Sequence, residues 1–219
     1  MQSLQLHLEA APLASGSVLF EADEPLTRVY FVEAGVVALL TAFENRVTVG
    51  AATVGREGAV GVASLLLGGD TALGRYRVLV PGSALSMEVP AFRSALGQSA
   101  KLRMGCEAHT RSLLVQVLQA VPCTRLHTVE QRCVRWLLMC ADRTEDDTFE
   151  LTWECLAEML RVPQSTLPAV AGTLQQAGLI RYHRDGITVL DRRGVEAAAC
   201  ECYRIVRDRC ERLLARAFD

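Results

Sequence analysis

Two short apolar-periodic segments, parted by Arg161-Val162-Pro163 and followed at once by two strand-like runs, constrain this chain most. In the first segment Thr152 is a natural N-cap, and Leu156, Met159 and Leu160 form one apolar face. The second starts at Pro163, a favourable first-turn residue, and runs to Ala177, with Gly178 to cap its end. Helix, three-residue break, helix is the helix-turn-helix pattern. Leu179–His183 and Ile187–Leu190 flank Arg184-Asp185-Gly186, and Asp-Gly is a strong hairpin signal, so a wing is expected. Asp191 then caps a final amphipathic helix that buries Val195, Ala199, Cys202, Ile205, Val206 and Leu213.

The chain reads differently upstream. Val18–Phe20, Val29–Val32, Val36–Leu40, Val47–Val49 and Val78–Val80 are short β-rich runs separated by Gly, Pro and acidic turns. That rhythm predicts a small barrel or sandwich. The pattern changes after Pro90. Leu102, Cys106, His109, Leu113, Val117 and Ala120 recur at helical spacing and mark one face of a helix from Ala91 to about Val121. A helix of about 30 residues is roughly 45 Å long, more than one small barrel can cover. The stripe is therefore expected to meet the same helix of a second subunit, the alternative being an intramolecular core helix. Pro122 is expected to end the helix. A further helix, starting at His127 or Thr128, leads to the acidic loop Thr144–Asp147. The division is thus 1–90 for the barrel, 91–122 for the long helix and 123–219 for the helix-turn-helix region.

Composition excludes several classes. The chain has 219 residues, is half apolar and carries a net charge of −2, unlike a disordered or nucleic-acid-coating protein. No apolar run reaches the ~18 residues of a membrane span, and MQSLQLHLEAAPL lacks the basic and apolar regions of a signal peptide. A cytoplasmic location is expected, without a membrane partner. All eight cysteines lie between Cys106 and Cys210, and read as free buried thiols in a reducing cytosol. No nucleophile–base set, phosphate loop or carboxylate pair stands out, and His7, His109, His127 and His183 are scattered, so neither an enzyme nor a metal site is expected. Cys200 and Cys202, two apart on one expected helix, point away from each other. Cys106 and His109 share a face, which leaves open a redox, haem or metal role beside that of an ordinary half-buried pair.

Three stretches, in this order, resemble the Crp/Fnr family: Val29–Val37, Gly55-Arg56-Glu57-Gly58-Ala59-Val60-Gly61, and Leu151–Leu160 with Leu174–Ile180. The resemblance spans nearly the whole chain. It implies an α+β architecture: an N-terminal double-stranded β-helix (jelly-roll) barrel, a long dimerisation helix and a C-terminal winged helix-turn-helix. It also implies a homodimer that reads a near-palindromic operator in double-stranded DNA, controlled by a small effector and often touching RNA polymerase. The dimerisation residues would be Leu102, Cys106, His109, Leu113 and Val117. The effector would meet Gly55, Arg56, Glu57, Gly58, Arg75 and Arg77, although the Arg-Ser phosphate pair of the cyclic-nucleotide members is missing at Gly74-Arg75. The N-terminal cysteine cluster of the iron–sulfur members is missing too, so the effector and any cofactor are unknown.

The reading head departs from the family pattern. Gln164 and Ala169 stand where the family has arginines, Ser165 stands at the Glu position, and Pro168 lies beside them. Gln reads adenine well, and Ser contacts several bases. Thr166 on the helix, Arg161 in the turn, and Arg181, His183 and Arg184 on the wing complete the expected DNA contacts. Between Glu150 and Leu190 three arginines face four acidic residues, a net of −1. Counterion release would supply little affinity there, so the alternative is a ligand-binding or interaction module whose helix-turn-helix has lost strong DNA binding.

Overall fold

A computed structural model of the chain describes residues 7–43, 47–183 and 186–217. The N-terminal strands are β1 (Glu9–Leu13), β2 (Val18–Phe20), β3 (Arg28–Ala42), β4 (Thr48–Val54), β5 (Ala59–Val60) and β6 (Arg75–Glu88). All their pairings are antiparallel, in the order β1-β6-β3-β4, with β2 also on β6 and β5 on β3. Among the described residues the order ends at β1 and β4, so the expected barrel is an open jelly roll.

The two long strands turn the corner together. Their register slips between Val32 and Ala34 and again before Val36. There Gly35 adopts a φ of +90°, and a Cβ on Gly82 would stand 2.1 Å from the Ala34 carbonyl. Only glycines let both backbones bend at so close an approach.

The helices are α1 (Val62–Leu66), α2 (Val89–Gln98), α3 (Ala100–Leu126), α4 (Val129–Ala141), α5 (Trp153–Leu160), α6 (Leu167–Gln176), α7 (Arg192–Ala198) and α8 (Cys202–Ala215). The single helix expected over 91–121 is two. Ser99 breaks it and caps α3 by accepting from the Leu102 amide at 3.1 Å. Pro122 does not end α3, which continues to Leu126. A proline removes one hydrogen bond from a helix, and here the flanking turns hold. Thr152 and Asp191 are N-caps as expected, and Thr128 is the N-cap of α4, within a capping box with Gln131.

The C-terminal sheet orders β7 (Thr148–Phe149), β9 (Gly186–Val189) and β8 (Ile180–His183). Arg184 and Asp185 of the wing turn lie outside the described residues. The last helix is also two: extended backbone at Ala199 separates α7 from α8, and Cys200 lies in the break.

The helix-turn-helix half packs directly on the jelly roll. One apolar core joins Val36, Ala38, Leu40 and Leu79 of the sheet to Trp136, Leu137, Met159 and Leu160. A Cβ on Gly50 of β4 would stand 2.8 Å from the Trp136 ring, so the backbone of β4 packs directly against the Trp136 side chain of α4.

Candidate effector cavity and nucleic-acid interface

Helix α3 has three distinct faces. Cys106, His109 and Leu113 are buried on the first, with Leu102 and Val117 half-buried, all against the jelly-roll core. The stripe expected to meet a second subunit thus covers the chain's own sheet, in one core with Val62 and Leu65 of α1 and Phe92 and Leu96 of α2. Gln116 pins this face: its Nε2 donates to the Thr53 carbonyl at 3.1 Å, and its Oε1 accepts from the Thr53 amide at 2.9 Å. The second face receives α8, which runs antiparallel to α3, Cys202 lying near Gln119 and Cys210 near Ser112. The third face is open. Met104, Glu107, Arg111, Leu114, Leu118, Val121 and Arg125 follow one another at alternating spacings of three and four. Leu114 is 56% exposed, Leu118 62% and Val121 68%.

Beside that open face lies a cavity of about 600 Å³ between β3, β4, α1 and α3. Leu39, Ala51, Ala63, Leu66, Leu113 and Val117 form its apolar wall. Arg103, Arg111 and Leu114, all exposed, mark its mouth. Arg111 and Leu114 also belong to the open face of α3, so mouth and face are continuous.

None of the six residues expected to meet an effector lines this cavity. Glu57 pairs instead with Arg143, whose Nε donates at 2.8 Å from the turn after α4. Burial opposes charge on the Glu57 carboxyl, but the Arg143 guanidinium and local hydrogen bonds together hold it below its ordinary range. A Cβ on Gly55 would strike the Arg143 side chain, and one on Gly58 would strike the His109 ring. The His109 Nε2 lies 3.0 Å from the Ala59 carbonyl and 3.3 Å from its amide. Burial pushes the His109 ring down from its ordinary 6.5, against the opposing pull of Glu57. Burial also pushes the Cys106 thiol up to about 11, so Cys106 and His109 read as packed core groups. Arg75 pairs with Glu21 at 2.8 Å, Arg56 is exposed, and Arg77 pairs across the domain boundary with Glu158 of α5. Thr48 also donates to Glu158, at 2.6 Å. The expected effector turn is therefore occupied with holding the two halves together.

The helix-turn-helix consists of α5, a 3-10 turn over Gln164–Thr166, and α6. The recognition helix proper starts at Leu167, later than expected. Pro168 thus falls in its first turn, where no backbone hydrogen bond is lost. Arg161, Gln164 and Ser165 are exposed, with Thr166 half-buried. Arg161 holds a left-handed backbone, φ 54°, at the C-cap of α5. Arg161 and Gln164 also line a cleft whose far wall includes Arg77. On the wing, Arg181 and His183 are exposed, and the Tyr182 amide donates to Gln175 Oε1 at 2.9 Å, tying β8 to α6.

Comparison with known proteins agrees with both halves. Residues 11–99 match the model of the cyclic nucleotide-binding domain, and residues 131–198 match that of the Crp-like helix-turn-helix domain. The chain is 26% identical to the global nitrogen regulator of Nostoc sp. (strain PCC 7120) over 180 residues, 78% of this chain and 80% of that one. Its fold is similar to that of FixK2 from Bradyrhizobium japonicum, with a TM-score of 0.73 at 15% identity over 88% of this chain and 98% of the other. It is similar also to a CRP/FNR-family transcriptional regulator from Thermus thermophilus, with a TM-score of 0.67 at 20% identity over 87% and 98%. An effector-type jelly roll followed by a DNA-binding winged helix-turn-helix defines a one-chain transcription regulator. The chain belongs to the Crp/Fnr family of such regulators.

Proposed function

We propose that the protein acts as a homodimer that reads a near-palindromic operator and is controlled by a small, largely apolar effector in the cavity beside α3. The observation that carries this reading is the open apolar face of α3, continuous with the cavity mouth. Its alternating three-and-four spacing suits a parallel two-helix seam, with Leu114, Leu118 and Val121 as the apolar knobs. A second copy of α3 seated there would close the cavity over its ligand. Wall and domain interface also share Leu40, so filling the cavity would press on the contact that holds the helix-turn-helix half.

On the DNA, Gln164, Ser165 and Thr166 would enter the major groove, and Arg161, Arg181, His183 and Arg184 would meet phosphates. Two arginine-to-other replacements in the reading head favour A·T-containing half-sites over guanine-rich ones. Selection from a random DNA pool at low salt tests this. Enrichment of a two-fold symmetric site is the expected result, and the absence of any enriched palindrome would refute the reading. Native mass spectrometry of the purified protein would then show a dimer carrying a retained small molecule.

A further inference from the structure

We propose that Cys123, His127, Cys200 and Cys202 bind a zinc ion that staples the end of α3 to the break between α7 and α8. Their ligand atoms all lie within 4.8 Å of one another, and the three cysteines are buried. Zn–S bonds of ~2.3 Å at tetrahedral angles place neighbouring sulfurs about 3.8 Å apart, and a sulfur and a nitrogen slightly closer. Cys123 Sγ and Cys200 Sγ are 3.6 Å apart, and Cys202 Sγ and His127 Nδ1 are also 3.6 Å apart. Two opposite edges of the tetrahedron are thus already in place.

The surroundings fit a metal–thiolate group in charge as well as shape. Arg135 of α4 is 2% exposed, and its Nε and Nη2 have no hydrogen-bond partner. A buried guanidinium with two unpaired nitrogens is costly and calls for a nearby negative charge. The cysteines feeling that charge are Cys123, Cys200 and Cys202. Three thiolates, one neutral imidazole and one divalent zinc sum to a single negative charge, which Arg135 balances. Gln119 adds an outer hydrogen bond, its Nε2 lying 3.2 Å from Cys202 Sγ, as donors around metal thiolates commonly do.

The donor set identifies the ion class. Three soft thiolates and an imidazole suit Zn²⁺, and four protein ligands with no open position make a structural rather than a catalytic site. Binding displaces the three thiol protons to solvent, with no change of oxidation state. His127 caps α3 and the next helix starts at Val129, so the ion sits at the joint between the long helix and the DNA-binding half. It would fix the angle at which one hangs from the other.

Cobalt(II) titration of the reduced, metal-stripped full chain tests the proposal. A thiolate-to-cobalt charge-transfer band with intense tetrahedral visible bands should saturate at about one equivalent per chain and vanish on adding zinc. Elemental analysis of the protein purified under reducing conditions should find zinc. Cys200→Ser should lose it, whereas Cys210→Ser, outside the cluster, should keep it. A chelator should lower the melting temperature of the wild-type chain but not of Cys200→Ser. The cobalt readout uses the unaltered chain and so survives failure of a variant to fold. A flat cobalt titration, a Cys123–Cys200 disulfide in anaerobically alkylated protein, or equal loss of metal in both variants would overturn the proposal.

Discussion

Arg161 carries two opposing demands. Its left-handed backbone at the end of α5 is a conformation that favours glycine, while its exposed charge faces the expected DNA side. Arg161→Gly should therefore stabilise the fold by about 1 kcal/mol in urea unfolding. The same variant should bind operator more weakly, with the salt slope of binding reduced by about one. His109 and Glu57 make the jelly-roll turn acid-sensitive. His109 titrates lower folded than unfolded, so below its ordinary pKa of 6.5 the unfolded chain binds the extra proton and stability falls. Glu57 adds to the loss at lower pH, because its folded carboxyl also titrates below the ordinary value of 4.5. The melting temperature should be highest near neutrality and decline as pH drops through that range. His109→Gln, which keeps a polar contact to Ala59, should flatten the upper part of the decline.

Helix α3 shows how an element can have more apolar surface than one partner uses. One face rests on the jelly roll, a second takes α8, and the third leaves Leu114, Leu118 and Val121 exposed. Single exposed leucines are ordinary, but a continuous row at coiled-coil spacing is a contact surface. Leu118→Glu should yield a monomer by light scattering with unchanged circular dichroism, because Leu118 is 62% exposed within the chain. Operator binding should fall with it, since each half-site alone gives only part of the affinity. A variant that stays dimeric and binds normally would place the subunit seam elsewhere.

At the scale of the molecule, the two halves form one packed body rather than beads on a linker. Leu40 and Leu79 share a core with Trp136 and Met159, and Glu57–Arg143 and Arg77–Glu158 bridge the same boundary. Arg143 is the more buried partner of its pair, with 11% of its side chain exposed against 23% for Glu57. Glu57→Ala strands that guanidinium, at a cost of about 2 kcal/mol, below the figure for a fully buried pair because water reaches the carboxylate. Urea unfolding should show the loss, and unfolding should remain a single transition if the halves are as closely coupled as their shared core indicates.

Local signals in the sequence were enough to place the helix-turn-helix, the wing and several helix ends. Thr128, Thr152, Asp191 and Gly178 act through hydrogen bonds or backbone angles that span only a few residues, so chain order alone determines them. Which face of α3 looks where was not decided locally. The Leu102–Val117 stripe and the Leu114–Val121 row are both apolar at helical spacing, and only the position of the jelly roll decides which is covered. The effector turn followed the same rule: Glu57, Arg75 and Arg77 look available in sequence, yet each finds a charged partner far along the chain. The cysteine–histidine cluster is the sharpest case. Cys123 and His127 are four apart at a helix end, a ligand-like spacing that could have been noticed. Cys200 and Cys202 join them where extended backbone at Ala199 breaks the helix and α8 runs back along α3.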